Sequence, residues 1–430
     1  MEGVAYGVFR FLNPTTRREE IDWEAGRRGR RGKREGTDDG VLRDERGKDE
    51  VKGDELIMAG KRSGGNIDAD REKKEIVFRK WRARDNRKGR HAITLRPSAA
   101  SPSNPQYPTS TSTYHAILTG LLRMFTRFPC YDISYLIAMI FTLGSLIWCI
   151  NAFFVWLPLE SPSSEFPGEI ADAGGITAFV GATVFELGSI LLILEAVNED
   201  QTDCFGWAIE EVWEEETRTW RKGVRKDQAR CRHHHRNHRN LVGKSLEHRS
   251  NVEEAKPPSS TTSSTPTWQW FPSLSSLSTH YMHSLGFLAC SAQLLGATIF
   301  WISGFTALPP IYTDLTSTRA QNSAYWLPQV IGGTGFIISG LLFMLETQSA
   351  WYKPAWRTLG WHIGAWNLVG GIGFTLCGVL GFAAENSGAV YQGSLATFWG
   401  SWCFLVGSVV QWYESLEKFP VEVEGQVMGK

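Results

Sequence analysis

Lysine and arginine are missing from long parts of this 430-residue chain: none occurs from 128 to 217, from 257 to 318 or from 358 to 417. A soluble domain of that length carries basic side chains over its surface. The overall balance of 45 Lys+Arg against 45 Asp+Glu, with a mean hydropathy of −0.21, hides this, because 26 of the basic residues lie in the first 100 positions. Cysteine is scarce as well: seven residues, none paired as Cys-x-x-Cys, give no disulfide framework to read. No Asn-x-Ser/Thr sequon is present, so glycosylation says nothing of the compartment. The first residues lack the apolar run of a secretory signal, and Glu19, Glu20, Asp22 and Glu24 argue against a transit peptide. There is no nucleophile with a base, no phosphate loop and no zincin motif. The expectation is therefore no enzyme and no cofactor. A solvated tail is preferred to a nucleic-acid role for Arg27–Arg31.

What fills the basic-poor stretches is apolar. Six segments, near Ile133–Leu157, Gly174–Val197, His283–Ala307, Leu327–Thr347, Leu359–Ala383 and Leu395–Leu416, have about the 20 residues a bilayer crossing needs. None contains Lys or Arg. Backbone groups in lipid must be satisfied within the segment, so all six are expected to be helices. The fold class is then an all-α membrane protein with six transmembrane helices, whose main partner is the lipid bilayer. Basic residues flank one end of the bundle (Arg123, Arg127, Lys353, Arg357, Lys418), and acids flank the other (Glu160, Glu165, Glu169, Asp172, Glu385). This predicts both termini on the cytoplasmic side.

The domain plan has five parts. Residues 1–115 form a charged tail and Ser/Thr/Pro linker, in which too few aliphatics predict disorder to about residue 95. A first membrane hairpin covers 125–198, a partly disordered cytoplasmic loop 199–278, two further hairpins 279–417 and a C-terminal tail 418–430. The loop is a place for protein partners. Within it, Ala208–Arg225 reads as an amphipathic surface helix. Cys231, His233, His235 and His238 form a metal candidate, set against an exposed basic loop, the preferred reading because Arg230, Arg232, Arg236 and Arg239 surround them.

The even-numbered segments share G-x3-F-x2-[GS]-[SG]-x5-E without a gap: Gly181, Phe185, Gly188, Ser189, Glu195; Gly332, Phe336, Ser339, Gly340, Glu346; Gly400, Phe404, Gly407, Ser408, Glu414. The first Gly, the Phe, the small residue and the Glu fall within about 80° on a helix. Gly181, Gly188, Gly332, Gly340, Gly400 and Gly407 thus read as a close-packing stripe. The odd segments match more weakly, Gly296-Ala297-Thr298 with Gly373-Phe374-Thr375. Three similar hairpins in one orientation are the expected arrangement, a layout known among transporters.

Two polar groupings are candidates. Glu195, Glu346 and Glu414 end the even helices on the cytoplasmic face, near His283 and His362 at the starts of odd helices; they serve either as a cation or proton site or as partners of helix N-termini. Glu186 lies mid-helix, with Gln293 and Asn367 as expected hydrogen-bond partners. Eighteen Trp, many near predicted helix ends, read as an aromatic belt.

The stretches Phe185–Ser189, Gly296–Pro309, Met344–Gln348, Gly360–Gly364 and Thr397–Trp402 resemble a family of uncharacterised fungal multi-pass integral membrane proteins, over about residues 125–425. The hairpin pattern is also similar to the bacterial YrhK-like two-helix module. The resemblance implies a multi-pass membrane location and no established activity. The functional expectation is a transporter or channel for a small solute or ion, with a non-transporting scaffold or sensor as the alternative.

Overall fold

The computed structural model describes residues 4–5, 12–13, 15–20, 77–95, 109–206, 208–209 and 268–424. Six long helices dominate it: α3 (Ile133–Glu160), α4 (Gly175–Val197), α5 (Leu285–Thr306), α6 (Leu327–Thr347), α7 (Leu359–Gly381) and α8 (Ser387–Leu416). All six are long and apolar enough to cross a membrane; irregular first turns extend the second span to Glu169–Val197 and the fourth to Thr318–Thr347. Each helix packs on its sequence neighbours, and α8 returns to α3, which closes the ring. The protein is therefore an all-α multi-pass membrane protein.

The sixth span starts at Ser387, eight residues before the first residue of its apolar run. Its first turns hold Ser387, Gln392 and Ser394, which hydropathy passes over. Asn386 sets the start by accepting hydrogen bonds from the backbone N–H groups of Gly388 and Ala389. Asp132 caps α3 in the same way, accepting from the Ser134 N–H at 2.9 Å.

Small residues let the ring close. A Cβ on Gly335 would lie 2.5 Å from the Cα of Gly296. One on Gly332 would meet the Cβ of Phe300 at 2.5 Å and the carbonyl of Gly296 at 2.7 Å. Gly340 lies against the backbone of Gly364 and Leu368, and Gly400 against that of Gly370 and Gly373. Gly181 and Gly188 instead receive rings, those of Trp148 and Phe141, and Gly407 lies against Asn367. In lipid the apolar surroundings do not drive helices together, so this contact geometry carries the association.

The end of the bundle that carries the first and last described residues is elaborated. Five short strands form a sheet in the order β1 (Val4–Ala5), β2 (Thr16–Glu20), β3 (Val77–Arg82), β4 (Ile93–Leu95), β5 (Val421–Val423). The pairs are antiparallel except β4 with β5, where Ile93 sits beside Val421 and Leu95 beside Val423. The short helix α1 (Ala83–Arg87) follows β3 directly. The expectation of disorder to residue 95 therefore fails for 77–95, and the C-terminal tail contributes a strand. Helix α2 (Tyr114–Thr126), inside the stretch assigned to linker and flank, turns Gly120 and Met124 inward and leaves Leu118, Leu121, Leu122 and Phe125 exposed. That face suits the headgroup level of a bilayer. Most of the surface helix expected at Ala208–Arg225 lies outside the described residues.

Substituting Gly335→Val should force α5 and α6 apart and cost about 1–3 kcal/mol. Gly393→Ala, whose new Cβ would find its nearest neighbours at 3.6 Å, should be tolerated. Thermal melting of both variants in detergent checks this, and equal melting temperatures would contradict the packing account.

Candidate functional site

Sequence spacing builds the site. Arg84, Arg87 and Lys88 stand at i, i+3 and i+4, so one turn of α1 aims three cations along one face. Gly89 then reverses the chain at φ +58°, a conformation that favours glycine; a Cβ there would also meet the Thr202 hydroxyl at 2.5 Å. Arg90 follows on the far side of the reversal.

These cations enter the mouth of the helix ring, where α4, α6 and α8 end in Glu195, Glu346 and Glu414. Arg87 bridges two of the carboxylates, 2.9 Å from Glu195 and 2.8 Å from Glu346. Its guanidinium also lies over the Phe343 ring, 5.2 Å from the centroid. Arg84 reaches Glu414 at 2.7 Å; Arg90 reaches Asp85 at 2.7 Å and Glu414 at 3.2 Å. Lys88 stands 3.7 Å from Glu195, which also accepts the hydroxyl of Ser134. Four cations, Arg84, Arg87, Lys88 and Arg90, thus meet four carboxylates, those of Asp85, Glu195, Glu346 and Glu414. Arg87 is only 1% exposed and Glu195 0%. Charges this deeply buried need partners of the opposite sign, because the loss of hydration is not otherwise offset.

The starts of the odd helices make room. A Cβ on Gly286 would run into the Glu346 carboxylate and Arg87, and one on Gly360 into Arg84. The matching place on α3 is Ser134, which donates to Glu195 instead. Burial pulls the Arg87 guanidinium down, but Glu346 and Glu195 outweigh it and hold its pKa well above the usual arginine value. Burial lowers Lys88, only partly offset by Glu195.

Below this lock sits a cavity of about 30 Å³, lined by Arg84, Arg87, Gln293, Asn367, Ser408 and Gln411 among others. Beneath it lies an aromatic septum. The repeat residues Phe185, Phe336 and Phe404 meet edge to face, with centroids 5.5 to 6.3 Å apart. Trp148, Phe300 and Phe374 of the odd helices form a second tier, 4.8 to 5.6 Å apart. Phe374 joins the tiers, 5.4 Å from Phe404. Beyond the septum, a larger cavity of about 420 Å³ lies at the end away from the termini, lined by all six helices.

Several sequence expectations change. Glu195, Glu346 and Glu414 come together, but their partners are arginines rather than imidazoles or helix N-termini. His362 bonds the Trp356 carbonyl at 2.6 Å, and His283 is exposed at the end of a short turn. Glu186 accepts a hydrogen bond from Thr298 at 2.9 Å on the neighbouring helix. Gln293 and Asn367, expected as its partners, line the cavity under the arginines instead. Trp148 belongs to the septum, not to a belt. Trp148, Phe300 and Phe374 occupy one tier, and Gln293 and Asn367 line one cavity, so α5 and α7 correspond with an offset of 74 residues. The sequence match of Gly296 with Gly373 used 77, about one helical turn away. The metal candidate Cys231, His233, His235 and His238 lies outside the described residues, among which no His/Cys/acid group could hold a metal.

No family model, no curated protein and no solved structure matches the chain.

Arg87→Met alone should cost about 3–5 kcal/mol, because it strands buried carboxylates. Adding Glu346→Gln should recover most of that loss, since Glu195 keeps Lys88 and Ser134. Melting curves of the two variants test this, and a harmless single substitution would refute the lock. Burial lifts the Asp132 carboxyl to about 7, opposed by Lys418 at 2.6 Å and assisted by Asp203. The folded state therefore holds a proton that the unfolded state releases at an ordinary carboxylate pKa. The stability from this group is full below about pH 4 and declines as pH rises to about 7. Asp132→Asn should remove that part of the pH dependence in melting curves taken between pH 4 and 8.

Proposed function

We propose that this chain is a membrane sensor or scaffold, not a conduit, with both termini in the cytoplasm. The observation that carries the reading is the septum. Six aromatic rings, one from each helix, lie between the two cavities. Glu186, an acid near the middle of α4, accepts a hydrogen bond from Thr298 on the neighbouring helix. The basic flanks at the end that holds the termini support the cytoplasmic orientation.

In this reading the cavity away from the termini receives a signal and the arginine lock reports it. Trp148 and Phe300 line the outer cavity, while Phe185 and Phe404 line the inner one beneath Arg84 and Arg87. An occupant that tilts the upper rings would press on the lower ones and shift the balance between a seated and a released N-terminal segment. The cytoplasmic loop then offers a surface for protein partners.

A second reading, transport of a small solute, is favoured by the outer cavity's position on the axis of all six helices. Flux measurements separate the two. Liposomes containing the full-length protein should pass no Na⁺, K⁺, glycerol or urea above the rate of empty liposomes. The same should hold for Arg87→Met with Glu346→Gln, in which the lock is weakened. Flux that appears when the lock is weakened would make the arginine segment the gate of a conduit and overturn the sensor reading.

A further inference from the structure

We infer that the outer cavity is a binding site for a small uncharged molecule with an apolar, ring-sized body and one or two hydroxyl or carbonyl groups. This rests on the sensor reading for its consequence, and on the cavity itself for its chemistry.

Size comes first. About 420 Å³ falls at the lower end of the range for small-molecule sites. Every helix of the ring contributes: Asn151, Ala178, Ser303, Gln329, Cys377 and Thr397 come one from each. Such a cavity is set by the ring as a whole and is not a groove between two helices.

Charge comes second. No Asp, Glu, Lys, Arg or His lines the cavity. An ionic ligand would meet no counter-charge there to offset the hydration it gives up against the apolar walls. Aromatic rings take that place: Trp148 and Phe300 at the septum, and Tyr312, Tyr325 and Trp326 elsewhere in the wall. Such walls favour a flat apolar body.

The third observation concerns serines. Ser339, which does not line the cavity, makes no hydrogen bond, and Ser134 donates to Glu195; other buried serines in the spans turn their hydroxyls back onto their own helix: Ser145 to the Phe141 carbonyl, Ser189 to Phe185 and Ser401 to Thr397, at 2.7 to 2.8 Å. Ser303 and Ser394, which line the cavity, do not. They are 2% and 6% exposed, and their hydroxyls make no hydrogen bond to the described residues. Asn151 adds an acceptor: its amide nitrogen donates to the Gly174 carbonyl and the Thr177 hydroxyl, which leaves its side-chain oxygen without a donor among the described residues. Two buried hydroxyls and an amide oxygen with unused capacity in an apolar chamber are the polar part of a ligand site.

The test uses full-length protein in nanodiscs and three probes of one size: 4-propylphenol, 4-propylbenzoate and 4-propylbenzylammonium. Tryptophan fluorescence reads the binding, with empty nanodiscs to subtract partition into lipid. The phenol should bind saturably, and the two ions about 100-fold more weakly. Ser303→Ala with Ser394→Ala should weaken the phenol about 10-fold while the elution profile stays monodisperse. Equal binding of neutral and ionic probes, no saturable binding, or no effect of the serine changes would overturn the proposal. Trypsin cleavage within 84–90 is followed in parallel. Saturable phenol binding that leaves this cleavage unchanged keeps the site and removes the sensor reading.

Discussion

One buried side chain ties the N-terminal segment to two helices of the bundle. Arg87 lies between Glu195 and Glu346, which end different helices, and so ties α4 to α6 through a segment more than 100 residues earlier in the chain. Arg84 and Arg90 extend the tie to Glu414 on α8. Without this segment, three carboxylates would converge at one mouth with no counter-charge. Their mutual repulsion would open the ring there, or protonation would relieve it. The bundle and its basic N-terminal segment are thus mutually dependent, each neutralising what the other buries.

The rest follows from that closure. The carboxylates lie at one level because each ends its helix ten residues after the repeat Phe. The same spacing sets Phe185, Phe336 and Phe404 in one tier of the septum. Glycine stripes let the helices approach closely enough for those rings to touch. Where the rings stop, the six helices line a cavity with no charged side chain in its wall. A charged lock, an aromatic septum and an uncharged chamber are stacked along one axis.

Much of this was legible in the sequence, for reasons that can be named. The six spans show because lipid excludes Lys and Arg over about 20 residues, a strong and local signal. The even-helix repeat shows because packing and the terminal Glu demand the same residues at the same spacing three times. The lock did not show. Arg84, Arg87 and Lys88 sit within a run of alternating charges that has the composition of a disordered tail. Composition measures what a segment buries alone, and this one buries its charges only against helices distant in sequence. The signal that was present is the stoichiometry: three carboxylates at helix C-termini, an unfavourable place for them, call for cations. The odd-helix register failed for a different reason. The tier residue is Trp in one helix and Phe in two, and glycines one turn apart allow two alignments.

Hydrogen exchange of residues 83–95 in the full-length protein within a bilayer tests the central claim most directly. The account predicts that these backbone amides exchange slowly, with protection comparable to the ends of the membrane helices, and that Arg87→Met with Glu346→Gln lowers it. Exchange at the rate of an unstructured chain would contradict the account, because a segment that holds the mouth of the bundle closed cannot be open to water.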